Sequence, residues 1–183
     1  MTGEAFLRHV RAYASSPDSR VAAGNAVALL VAANQPLYPL YVAWVAGNGW
    51  PAVWTFLSTP LFLAVPGVAQ RNSLAGRTML PLAGIANTVL AAWALGVASG
   101  VEAFLAPCVV LAGLLFRPTE RRVALALIGV ALAAFLVLHD QYGTPRHPYS
   151  AEDYAALLRL NAISAGGLLA FIGLTFSAAE RRA

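Results

Sequence analysis

Runs of roughly 16–26 apolar residues recur along this chain, broken by short clusters of arginine, proline and glycine. No ordinary soluble domain is built this way: 59% of the 183 residues are hydrophobic and 11% are charged, against about 25% charged in soluble proteins. The pattern predicts an all-α fold, a polytopic six-helix transmembrane bundle with spans at about 21–46, 53–70, 77–99, 102–116, 121–138 and 152–178. The fourth and fifth are short and should cross with little tilt or in locally thinned lipid. Residues 1–20 are polar, hold no apolar signal sequence, and read as a cytoplasmic N-terminal arm. Residues 21–178 form the membrane domain, and 179–183 begin a cytoplasmic linker.

The arginines set the direction. All twelve basic residues are arginine, and with the N-terminus in the cytoplasm ten fall inside: Arg8, Arg11, Arg20, Arg71, Arg77, Arg117, Arg121, Arg122, Arg181 and Arg182. Only Arg146 and Arg159 fall outside, so the positive-inside rule places both termini in the cytoplasm, as in a bacterial inner membrane. A net charge of +4 invites nucleic acid as a partner, but arginines segregated to segment ends are explained by topology, so none is expected. In the arm, Phe6, Val10 and Tyr13 recur at helical spacing beside Arg8 and Arg11, which fits either a short interfacial helix or a solvated arm. The last span opens on Ser150-Ala151-Glu152-Asp153, a capping-box pattern after Pro148.

The first span carries the least expected residues. AANQPLYPLYVAW, residues 32–44, places Asn34, Gln35, Pro36 and Pro39 near the bilayer centre. Each proline removes an N–H and frees the carbonyl four residues earlier, of Ala32 and Gln35, which then needs a helix, a water or a ligand. Asn34, Tyr38 and Tyr41 are spaced to share one helical face that leads from the midplane outward. Asn87 lies at the same depth in the third span, and Arg159 and Asn161 in the outer half of the sixth. Polar side chains at such depth are functional candidates, with interhelical glue as the plain alternative. These six, Asn34, Tyr38, Tyr41, Asn87, Arg159 and Asn161, are the predicted ligand-binding residues, lining a cavity open toward the outer leaflet. Arg159 can also snorkel to the surface, or meet Glu102 or Asp140. Ala162, Gly166 and Ala170, with Gly173 nearby, make a small-residue stripe suited to packing inside the bundle or to a homodimer seam.

Enzyme chemistry is not expected. The three histidines avoid membrane depth, no carboxylate pair sits at the midplane, and no phosphate loop or nucleophile elbow occurs. Cys108, the one cysteine, can form no intrachain disulfide. His139, Asp140 and His147 are the weak metal candidates, in a proline-rich loop. No cofactor is expected. A small transporter or channel, and a haem- or quinone-binding subunit, are the alternative functions.

The segments NQPLYPLYVAW, STPLFLAVPGVAQRN, LPLAGIANTVLAAW, LAPCVVLAGLLFRPTER and YAALLRLNAISAGGLLAFIGLTF resemble the N-terminal six-helix membrane sensor domain of bacterial class III adenylate/guanylate cyclases. The layout is also similar to the membrane receptor domain of quorum-sensing histidine kinases. The resemblance covers about residues 8–178. It implies a receptor module that receives a small, often lipophilic signal and passes it to a cytoplasmic output domain, in cis or in trans. This sequence departs from the pattern in ending at Ala183 without a catalytic domain.

Overall fold

The computed structural model describes residues 3–181; Arg182 and the side chain of Phe6 lie outside the described residues. All regular structure among them is helical. A first helix, α1 (Gly3–Ala14), precedes α2 (Ser19–Asn34), which passes through a 3₁₀ step at Gln35–Leu37 into α3 (Tyr38–Ala46). A nine-residue 3₁₀ helix, Trp50–Ser58, leads into α4 (Thr59–Arg71), followed by α5 (Ser73–Leu95). Two short 3₁₀ turns precede α6 (Leu105–Leu115); then come α7 (Arg121–Leu138) and α8 (Ala151–Glu180). Five stretches are long and apolar enough to cross a membrane: Ser19–Ala46, Trp50–Arg71, Ser73–Leu95, Pro118–Leu138 and Ala151–Glu180. Val101–Leu115, where the fourth span was expected, is shorter.

The expected breaks move for local reasons. The third segment ends at Leu95, not at 99, because Gly96 takes φ +86° and Gly100 φ +69°, values open to glycine. The expected loop at 71–77 shrinks to Asn72, whose side chain caps α5 by accepting from the Ala75 amide. There Gly76 lies against the backbone of Ala69, too close for a side chain. The capping box at Ser150 and Asp153 forms as the sequence indicates.

Short turns return α5, α6 and α7 each beside its predecessor, and α8, after a longer loop, closes the bundle against α2, α3 and α6. Small residues do much of the packing. Ala23, Val27, Ala28, Ala83 and Ala112 let backbones approach, and Phe62, Leu80, Leu115, Ile172 and Phe176 fill between them. A second core, Val42, Ala52, Leu95, Tyr149 and Leu157, lies at the opposite end of the bundle. The stripe on α8 does not pack inward: Gly166 and Gly173 have no neighbour within van der Waals reach of a Cβ, and Ala162 and Ala170 are exposed.

Arginines tie one end together. Arg77, set by the sequence reading at the boundary between the second and third spans, is buried at 5% exposure within α5. Its guanidinium donates to both carboxylate oxygens of Glu120, at 2.6 and 2.8 Å, and to the Leu115 carbonyl at 2.9 Å. Arg20 reaches the next carbonyl, of Phe116. Two orphan acceptors at the end of α6 are thus satisfied by cations from α5 and α2. Arg117 in turn pairs with Asp18, the N-cap of α2. Burial works to raise the Asp18 carboxyl, but the amides of Val21 and Arg20 and the Arg117 guanidinium outweigh it and hold it below the ordinary value.

At that same end α1 is fastened into α4. Pro66 lacks the N–H of its rung, and at the next rung the Tyr13 hydroxyl donates to the Leu63 carbonyl at 2.8 Å while accepting from the Gly67 amide at 3.2 Å. A side chain inserted into the ladder is a known cause of helix bending. Gly67 leaves room for it: a Cβ there would sit 3.1 Å from the hydroxyl. Tyr13→Phe is therefore expected to free α1 from α4 at a cost of about 1 kcal/mol. Hydrogen exchange at the Gly67 amide and proteolysis of the 14–18 connection should both quicken. Unchanged protection of Gly67 would show that the hydroxyl does not hold that rung.

Candidate ligand cavity

The site begins with what two prolines do to α2. The helix tightens to 3₁₀ geometry at Gln35–Leu37, and the Tyr38 amide takes the Gln35 carbonyl that Pro39 leaves free. The sequence reading left that carbonyl for a neighbour or ligand; a local turn satisfies it instead. The step turns Gln35 inward, to 4% exposure, and leaves Asn34 and Tyr41 exposed on the bundle side that faces α8.

The second contribution comes from the 3₁₀ helix at Trp50–Ser58. Three residues per turn put Ala52, Thr55 and Ser58 in one row, and all three are buried. Thr55 and Ser58 bond back to the carbonyls of Ala52 and Thr55 at 2.7 and 2.8 Å. The row ends where Gln35 and Asn87 meet: Ser58 Oγ lies 2.8 Å from Asn87 Oδ1, which shares the one hydroxyl proton with the Thr55 carbonyl, and Gln35 Nε2 donates to Ser58 Oγ at 2.9 Å and Asn87 Oδ1 at 3.4 Å.

A cavity of about 330 Å³ lies against this cluster. From α2 and α3 it is lined by Leu30, Val31, Asn34, Gln35, Tyr38 and Tyr41; from α5 by Asn87, Thr88 and Ala91. Val101 and Phe104 close one side, Thr55 another, and Ser164, Gly167 and Leu168 of α8 the last. The lining residues that are exposed, Leu30, Asn34, Tyr41 and Gly167, mark a mouth between α2–α3 and α8, on the side of the bundle. No lining side chain carries a charge.

Four of the six residues named from the sequence, Asn34, Tyr38, Tyr41 and Asn87, thus share one cavity wall. The other two do not line it. Asn161 is fully buried beside it, accepting from the Tyr38 hydroxyl at 2.9 Å and donating to the Ser99 carbonyl at 2.9 Å. It orients Tyr38 and fastens α8 to α3 and to the turn after α5. Arg159 turns outward and bonds its own helix at the Ala155 carbonyl, while Glu102 pairs with His139 at 2.6 Å. Gln35, Thr55, Thr88 and Ser164 were missed as cavity residues. Gln35 was visible as a midplane amide, but its face was set by the 3₁₀ step, which a regular helical wheel does not contain.

The outer-loop metal candidates come apart. His139 goes to Glu102, His147 packs edge-on against Tyr149 with ring centres 4.8 Å apart, and no cluster of three His, Cys, Asp or Glu occurs among the described residues. The loop is tied down, with the Arg146 guanidinium 3.8 Å over the Trp93 ring and the Tyr149 hydroxyl on the Asn48 carbonyl at 2.6 Å.

Five helices long and apolar enough to cross a bilayer describe a membrane protein. A family model places it more closely: MASE7 matches residues 10–182, and the chain belongs to this family of membrane-associated sensor domains. No curated protein and no solved structure matches the chain significantly.

Proposed function

We propose that this chain is the receptor module of a bacterial inner-membrane signalling protein. It crosses the bilayer six times with both termini in the cytoplasm, binds a small lipophilic molecule in the cavity at the α2–α3 break, and passes the signal through α8 to a cytoplasmic output domain. The observation that carries this reading is the cavity itself: it is uncharged, amide-lined, and open sideways toward α8, where a solute of the bilayer would enter. Ten of the twelve arginines support the orientation, which sets Leu30, Asn34 and Gly167 of the cavity mouth near the midplane and Tyr41 in the outer half. Ligand binding changes output to the extent that it favours one packing of α8 over another. Ser164, Gly167 and Leu168 contact the cavity near the middle of α8, whose far end leads to the C-terminus. Catalysis, in this reading, belongs to the output domain, a cyclase or a kinase.

The test is a fusion of the chain to a nucleotide cyclase domain after Arg181, challenged with organic extracts of spent bacterial culture. Wild type should change cyclic nucleotide output, and Asn87→Leu should need about tenfold more extract, the loss of one buried hydrogen-bonded contact. Equal potency of the two would remove the cavity from the signalling path.

A further inference from the structure

We infer that the ligand's head group is uncharged and both donates and accepts hydrogen bonds; this rests on the cavity being the receptor site. The amides of Gln35 and Asn87 are locked to each other through Ser58, with one Gln35 nitrogen on one Asn87 oxygen and on the serine. Turning one amide alone would set oxygen against oxygen or NH₂ against NH₂, so the two turn together or not at all. Both arrangements leave one NH₂ and one carbonyl oxygen as the outer atoms of the pair. Among the described residues these outer atoms have no hydrogen-bond partner, and neither is sealed from the cavity.

The wall therefore offers a fixed donor beside a fixed acceptor, whichever amide supplies which. Asn34, with no partner among the described residues, adds a further amide at the mouth. A carboxylate, phosphate or ammonium entering here would give up hydration and meet no counter-charge, which is costly in a low-dielectric site. A ketone or ester head would satisfy the NH₂ and leave the carbonyl unpaired. A hydroxyl or an amide satisfies both. The volume, about 330 Å³, holds about eleven heavy atoms at the ~30 Å³ each takes in a liquid. A molecule of octanamide's size fits that space.

The probes are octanamide, octan-2-one, octanoate and octylammonium, compared on the chain in lipid nanodiscs at equal membrane-bound concentration. Binding is read by thermal stabilisation and by competition with deuterated octanamide in NMR. Octanamide should bind tightest, with octan-2-one about tenfold weaker and the two ions weaker still. Of Gln35→Leu and Asn87→Leu, the one that removes the carbonyl acceptor should erase the difference between octanamide and octan-2-one, which a merely misfolded variant, binding neither, would not reproduce. An ion binding as well as octanamide, or octan-2-one matching it in the wild type, would overturn the head-group assignment and leave the cavity as a receptor site. Binding by none of the four would overturn the receptor reading itself.

Discussion

Arg77→Met is expected to destabilise the bundle by about 3–5 kcal/mol, the largest loss from any single side chain at its arginine-rich end. The guanidinium is 5% exposed and makes a two-pronged pair with Glu120, which is itself 22% exposed. Methionine keeps much of the volume and removes the charge. It strands the Glu120 carboxylate and the Leu115 carbonyl together, and it strips the cation from the Phe116 ring 5.5 Å away. Glu120 also accepts from the Arg117 amide, so the 3₁₀ turn between α6 and α7 should loosen with it. The measurement is thermal unfolding in detergent, with Arg77→Met and Glu120→Gln combined in a double-mutant cycle. The double variant should be closer to wild type than Arg77→Met alone, because no carboxylate is left unpaired. Strict additivity would mean that the pair is not coupled.

Asn161→Leu comes next, at about 2–4 kcal/mol, from two buried partners left unmet. Asn161 is completely buried and joins the Tyr38 hydroxyl to the Ser99 carbonyl, so it links α3, α8 and the turn after α5 in one chain of hydrogen bonds. Leucine matches its size and offers neither donor nor acceptor. Tyr38→Phe should cost less, about 1 kcal/mol, since only the hydroxyl is removed and the Ser99 bond survives. Unfolding in lipid nanodiscs checks both. The order matters more than the values: if Tyr38→Phe proved the more damaging, Asn161 would not be the hub.

Several features could be read from residues alone because they follow from local chemistry. Helical class follows from apolar runs too long and too uncharged for a soluble core. Ser150 and Asp153 announce a helix start, and Pro36 and Pro39 announce a break wherever they fall. Asn34, Tyr38, Tyr41 and Asn87 were found as candidates because polar groups at membrane depth are costly and therefore few. The burial of Arg77 was not legible because a charge near a segment end looks the same whether it faces water or caps a neighbouring helix.

What the sequence determined by itself is the helical, membrane-associated class of this protein and the places of its amides within the apolar segments, since both depend on one segment's composition and periodicity. Tertiary structure decided which side chains meet. The 3₁₀ step turned Gln35 inward to Ser58 and Asn87, Asn161 became a brace rather than a wall, and Arg159 was left on the surface. The physical reason is that a hydrogen bond between helices depends on their relative rotation and height, set by the packing of every helix at once and written in no single stretch of the chain.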